Sequence, residues 1–160
     1  MMRAYVALGS NLGDSRQHLL DAMTALAVLP GTQIIARSQL YRTPPWGVLD
    51  QPDFLNAVAI LETALEPHAL LDALLEIERA AGRLRQGQRW GPRTLDLDLL
   101  HVAGETIRSE RLTLPHPHIA ERAFVLLPLS DVAPDLEIPG QGKVADLLRT
   151  VDTQGCTSLT

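Results

Sequence analysis

Two stretches of the chain carry apolar residues at a helical period, and each lies between strand-like runs; that order leaves few topologies open. Leu19, Leu20, Met23, Leu26 and Ala27 form the first stripe, which Asp14 or Ser15 can cap and Pro30-Gly31 stops. Leu70, Leu74, Ile77 and Ala81 form the second, from Pro67, a residue suited to the first helical turn, to Gly82. Around them lie the strand patterns. Ala4-Tyr5-Val6-Ala7-Leu8 reads as a buried strand halted by Gly9-Ser10-Asn11-Leu12-Gly13-Asp14. Residues 33–41 alternate, and residues 53–63 place Phe54, Asn56, Val58 and Ile60 on one face. Residues 94–102 are a strand again.

The order β-α-β-β-α-β predicts an α+β, ferredoxin-like sandwich: an antiparallel sheet with both helices on one face. A C-terminal appendage follows. Ala103-Gly104 turns into a short hairpin with Ile107, Leu112 and Leu114, Pro115-His116-Pro117-His118 breaks the chain, and a short helix carries Arg122 and Phe124. From Pro128 to Arg149 the pattern suggests turns and one helical piece at 144–150, and residues about 152–160 should fray. With 160 residues, 46% of them hydrophobic, the expectation is a single domain over 1–160. No repeat or linker divides it.

A net charge of −5 argues against a nucleic-acid partner, which calls for a dominating basic face. The cations are nonetheless biased: Lys143 is the single lysine, and Arg79, Arg83, Arg85, Arg89 and Arg93 crowd one short window. Arginine's planar fork matches phosphate oxygens in pairs, so the cluster points to a small phosphorylated ligand, against the plainer alternative of a solvated helix end. One cysteine, Cys156, permits no internal disulfide. No apolar run approaches the ~18 residues of a membrane helix, and no signal-peptide pattern precedes the first strand. The expectation is a cytoplasmic monomer without membrane or nucleic-acid partners.

Asp96 and Asp98 stand two apart on a strand, on one face, with Leu95, Leu97 and Leu99 on the other. Adjacent carboxylates repel unless a cation lies between them. Mg²⁺ takes one or two carboxylates and fills its octahedron with water and substrate phosphates. A lone D-x-D is also a common solvent-facing edge; here Arg89, Trp90, Gly91-Pro92 and Arg93 lie immediately before it.

Two further groups accompany the pair. Thr43-Pro44-Pro45-Trp46-Gly47 with Phe54 and Asn56 can form a rigid apolar slot with one amide that both donates and accepts, suited to a flat heterocycle. As a plain alternative the same loop could pack over the core. Arg111 and Thr113 with His116, His118 and Arg122 can bind polyphosphate oxygens; nothing completes a zinc site around either histidine. Glu78 can accept from a ligand hydroxyl or hold Arg79 or Arg83. Gly9-Ser10-Asn11-Leu12-Gly13 lacks both the P-loop ending and the G-x-G-x-x-G spacing.

These residues resemble a known family. Arg89-Trp90-Gly91-Pro92-Arg93-Thr94-Leu95-Asp96-Leu97-Asp98-Leu99-Leu100 is similar to the signature of 6-hydroxymethyl-7,8-dihydropterin pyrophosphokinase, a folate-biosynthesis enzyme. Tyr5 to Gly13, Tyr41-Arg42-Thr43-Pro44-Pro45, Gln51 to Ala57 and Leu114-Pro115-His116-Pro117 fall in the family's order. The resemblance implies transfer of pyrophosphate from ATP to the pterin's hydroxymethyl oxygen, releasing AMP. It implies two Mg²⁺ ions on Asp96 and Asp98. Arg83, Arg93 and Asp98 would serve the transfer itself. Glu78, Arg85, Arg93, Leu99, Arg111, Thr113, His116 and Arg122 would contact ATP. Thr43, Pro44, Trp46, Phe54, Asn56, Trp90 and Phe124 would line the pterin slot. Phe54 stands where the family often has Tyr, which removes a hydroxyl and keeps the aromatic face, and Pro117 stands where some members carry Tyr.

Three rival readings fit less well. A metal-dependent nucleotidyltransferase would place D-x-D soon after the Gly-Ser turn, whereas more than eighty residues separate Gly9-Ser10 from Asp96. An RNA-recognition module of this topology needs stacking aromatics on the central strands and a basic face. A small-ligand regulatory domain has no evident use for paired aspartates beside arginines.

Overall fold

The computed structural model describes residues 1–45, 50–82 and 94–159. Its elements are β1 (Met2–Ser10), α1 (Ser15–Ala27), β2 (Thr32–Arg37), β3 (Tyr41–Thr43), β4 (Phe54–Thr63), α2 (Pro67–Ala80), β5 (Asp96–Val102), β6 (Ile107–Arg108), β7 (Thr113–Leu114), α3 (Ala123–Val132), β8 (Glu137–Ile138), β9 (Gly142–Lys143), α4 (Val144–Leu148) and β10 (Thr157–Ser158). A 3-10 turn at Ile119–Glu121 leads into α3.

The two helix starts follow from their caps. The Asp14 carboxylate accepts from Gln17 N at 3.2 Å. The Glu66 carboxylate accepts from Ala69 N at 2.9 Å, with Pro67 in the first turn, where a missing N–H costs nothing. In the main sheet β4 pairs with β1, β1 with β5, and β2 and β3 both run along the outer edge of β4, every pair antiparallel. That is the strand arrangement expected of a ferredoxin-like βαββαβ unit.

Three details depart from the sequence expectations, and a fourth adds to them. The edge strand expected at 33–41 is two pieces. Between them the Ser38 hydroxyl accepts from Val58 N at 2.8 Å, taking a ladder position that a backbone carbonyl would otherwise fill. β1 continues through Gly9 and Ser10 instead of stopping at Leu8. α1 and α2 share one face of the sheet, as expected, and the appendage helices α3 and α4 cover the opposite face. Leu19, Met23, Leu26, Leu70 and Leu74 of α1 and α2 pack with Val6, Leu8, Leu61, Leu95, Leu97 and Leu99. On the opposite face Val125, Leu126 and Leu129 of α3 and Val144 of α4 pack with Tyr5, Val58, Ile60 and Leu100. α3 therefore runs to Val132 through Pro128, because burial of its apolar residues outweighs the hydrogen bond that proline removes. Finally, the tail expected to fray pairs instead: Thr157 lies opposite Arg42 and Ser158 opposite Tyr41.

A bulge in β5 serves both layers. Tyr5 pairs with His101 and Val6 with Leu99, so Leu100 is the extra residue. Leu99 and Val102 then face α1 and α2, while Leu100 enters the α3 side and the His101 ring stacks on Tyr5 with centroids 5.9 Å apart.

Candidate active site

Register fixes which side chains share the open end of the α3 face. Tyr41 is opposite Asn56, Asn56 opposite Gly9, and Gly9 opposite Asp96, one row across four strands. Cross-strand partners point to the same side. Beside this row, Thr43 is opposite Phe54, and Ala7 is opposite both Val58 and Asp98. Hence Asp96, Asp98, Asn56, Phe54 and Thr43 lie on one face of one sheet end, although they come from three separate stretches of sequence.

Gly9 sits at the centre of the row. A Cβ there would lie 2.8 Å from Asn56 Oδ1 and 3.7 Å from Phe54 Cδ1. The glycine is needed for close approach across the sheet, not for an unusual backbone angle. Asn56 is buried, and its Nδ2 donates to Thr43 Oγ1 at 2.6 Å. That bond fixes the amide plane, with Oδ1 turned toward Gly9. The loop after β1 is tied to the loop before β4, since Asn11 Nδ2 donates at 2.9 Å to both Gln51 Oε1 and Pro52 O.

Asp96 and Asp98 are each partly exposed. Among the described residues no three His, Cys, Asp or Glu side chains gather as they would for a metal held by protein alone. Two strand carboxylates fit a hard divalent cation that keeps water and takes its other oxygens from a phosphate; they do not fit zinc.

The residues expected to meet the nucleotide separate. His116 is anchored to β5 by its N–H, which donates to Leu100 O at 2.8 Å. Burial, then the Arg122 charge, then His118 push its pKa down to about 4, so the ring is neutral near pH 7. His118 N donates to His116 Nδ1 at 3.2 Å, which puts the remaining ring proton on Nε2. His116 therefore offers a neutral N–H donor. Arg122 is buried at the start of α3, with its guanidinium carbon 5.5 Å from the Phe124 ring centre. Arg111 and Thr113 are exposed on the β6–β7 hairpin, and Arg111 is paired with Asp72 of α2.

Two residues expected to contact ATP lie inside the fold. The Glu78 carboxylate is 2% exposed and accepts from Leu97 N at 2.7 Å, so it braces α2 against β5 from inside the fold. The Leu99 side chain lies in the α1–α2 core. Arg83, Arg85, Arg93, Trp46 and Trp90 lie outside the described residues. A cavity of about 420 Å³ adjoins the slot, lined by residues that include Thr43, Pro44, Pro45 and Phe124 and, from the C-terminal segment, Thr150, Val151, Asp152, Gln154 and Cys156. Gly9's packing role and this lining segment escaped the sequence reading. A glycine in a strand signals close approach in general terms, whereas the tail carried no signal.

Comparison with known proteins decides the family. The family model described as 7,8-dihydro-6-hydroxymethylpterin-pyrophosphokinase (HPPK) matches residues 5–134. The chain belongs to this family. A 2-amino-4-hydroxy-6-hydroxymethyldihydropteridine pyrophosphokinase of Methylorubrum extorquens is 50% identical over 155 residues, 97% of each chain. The enzyme of the same name from Pseudomonas aeruginosa is 47% identical over 159 residues, covering 99% of this chain and 98% of that one. Among solved structures, Plasmodium falciparum HPPK-DHPS with pteroate aligns at a TM-score of 0.75 and 15% identity. The match takes in 93% of this chain and 44% of the Plasmodium chain. At that identity it speaks for the pyrophosphokinase fold alone.

Proposed function

We propose that the chain transfers a pyrophosphoryl group from ATP to the hydroxymethyl oxygen of 6-hydroxymethyl-7,8-dihydropterin in folate biosynthesis. The acceptor oxygen bonds to the β-phosphorus, the bond from that phosphorus to the α–β bridging oxygen breaks, AMP leaves, and the hydroxyl proton is lost. The observation that carries the reading is the register row, in which Asn56 and Asp96 flank Gly9 on the two neighbouring strands. A hydrogen-bonding slot for a heterocycle thus lies next to a carboxylate pair suited to a metal–polyphosphate.

Each residue then has a task. Asn56, oriented by Thr43, reads the polar edge of the pterin; Phe54 and Phe124, with Trp46 and Trp90, supply flat faces, and Pro44 closes the rim. His116 donates from Nε2 to ATP, Arg122 and Arg111 neutralise phosphate charge, and Thr113 and Arg85 add contacts. Glu78 supports β5 from behind, and the Leu99 backbone borders the nucleotide. Arg83 and Arg93 balance charge on the transferred group, where positioning and neutralisation are most of the catalysis. Asp96 and Asp98 would hold Mg²⁺, two ions with ATP, which supplies charge neutralisation on both sides of an in-line displacement when bound. We further propose a single-domain cytoplasmic monomer with no membrane or nucleic-acid partner. Among the described residues no helix is long and apolar enough to cross a membrane.

Product analysis tests the reading. Incubation with ATP, Mg²⁺ and the reduced hydroxymethylpterin should give pterin-dependent AMP. ADP as the nucleotide product would overturn it.

A further inference from the structure

The C-terminal segment lines part of the cavity that adjoins the acceptor slot. After Val151 the chain turns back, with Cys156 N donating to Thr153 O at 3.0 Å, and Gly155 adopts φ +86° in that turn. A Cβ on Gly155 would lie 3.5 Å from Pro44 Cγ and 3.6 Å from Pro44 Cδ, so the turn rests on the Pro44 ring. The segment then joins the sheet as β10. Thr157 and Ser158 pair with Arg42 and Tyr41, Leu159 N donates to Leu40 O at 2.9 Å, and the Ser158 hydroxyl meets Gln39 Oε1. β3 is just three residues long; β10 gives it a second neighbour on the side away from β4.

The consequences reach the slot through few bonds. β3 ends in Thr43, whose hydroxyl accepts from the Asn56 amide at 2.6 Å, and Pro44 follows directly. Val151, Gln154 and Cys156 face the same cavity as Thr43, Pro44 and Phe124. We propose that residues 151–159 are a positioning element for the pterin site: they hold β3 and Pro44 so that Thr43 orients Asn56. The inference rests on the reading of Thr43, Pro44 and Asn56 as pterin contacts. The segment's strand pairing and cavity contacts run to β3 and Pro44, on the acceptor side, so its effect should fall on the acceptor. A seated tail and a bound pterin then favour each other reciprocally.

The test compares the full chain with a truncation after Thr150 and with Gly155→Val, which strains the turn against Pro44 while keeping β10. Both should raise the pterin KM by about tenfold or more, as misplacement of a supporting shell does. The ATP KM should stay within about twofold. In the full chain, Cys156, the single cysteine, should react more slowly with iodoacetamide when pterin is bound, and ATP alone should not slow it. The proposal is overturned if both variants keep the pterin KM. It is equally overturned if ATP and pterin constants worsen together, or if pterin leaves the alkylation rate unchanged. Asn56→Ala separates the two readings. If it weakens pterin binding and the tail variants do not, the tail assignment fails and the slot stands. If Asn56→Ala itself is silent, the slot reading fails.

Discussion

Two residues show how small chemical differences set this site. At Gly9 a single methyl would meet Asn56 Oδ1 at 2.8 Å, in a row where that amide is already tied to Thr43. Gly9→Ala should therefore rotate the amide and lower pterin affinity by roughly tenfold, with little loss of stability because the strand geometry suits alanine. Titration calorimetry with pterin checks this, and unchanged affinity would refute the role. His116 is held neutral by burial and by Arg122, with a pKa of about 4. A nuclear magnetic resonance titration should show its ring shifts flat above about pH 5.5 and moving toward pH 4; a midpoint near 6.5 would contradict the environment described. The sign for stability follows. Between its folded value and the ordinary value near 6.5, the unfolded chain binds the extra proton. The contribution is whole above about pH 6.5 and is lost progressively as pH falls toward 4.

At the scale of elements, β3 and α3 belong together. The Tyr41 hydroxyl donates to Asp131 at 2.8 Å from Oδ1 and 2.9 Å from Oδ2, and Gln39 N donates to the same carboxylate at 3.2 Å. Desolvation first, then the Asp131 hydrogen bond and charge, push the Tyr41 pKa up to about 12. Tyr41→Phe should cost about 1 kcal/mol in urea denaturation, the usual net worth of such a bond to an exposed partner. It should also remove a stability loss that begins as pH rises past about 10, where the unfolded tyrosine ionises first. Equal stability of the two proteins at pH 8 would contradict the clamp. The clamp was not legible beforehand, since Tyr41 and Asp131 are joined by tertiary packing across ninety residues and the motif that holds Tyr41 says nothing of Asp131. The helices α1 and α2 were legible, because a start signal, a period and a stop agree in each. Helix α3 was legible at its start and lost at Pro128, where a local rule against proline gave way to burial against Val58 and Leu100.

For the whole molecule, the sheet divides labour between its faces. The α1–α2 side is core from end to end, whereas the α3 side is core under α3 and more open beyond it, where Asp96, Asp98 and Phe54 are partly exposed beside the buried Asn56. The alternation of Leu95, Leu97 and Leu99 with Asp96 and Asp98 announced that division in the sequence. Its neighbours Arg89, Trp90 and Arg93 gave the aspartates their chemical meaning. What the alternation could not tell was which other strands share the face, since register is set by pairing partners far apart along the chain. The β4 strand shows the difficulty: it is buried on both sides, so its sequence alone does not say that Asn56 is a site residue and Val58 a core one. Because Asp96 lies on the open end, Asp96→Ala should remove function and leave the fold. The direct test is pterin-dependent AMP release by this variant, measured with its melting temperature. The account predicts turnover lowered by at least about a thousandfold, with a melting temperature within a few degrees of the unaltered protein. Near-normal AMP release from a folded Asp96→Ala protein would contradict it.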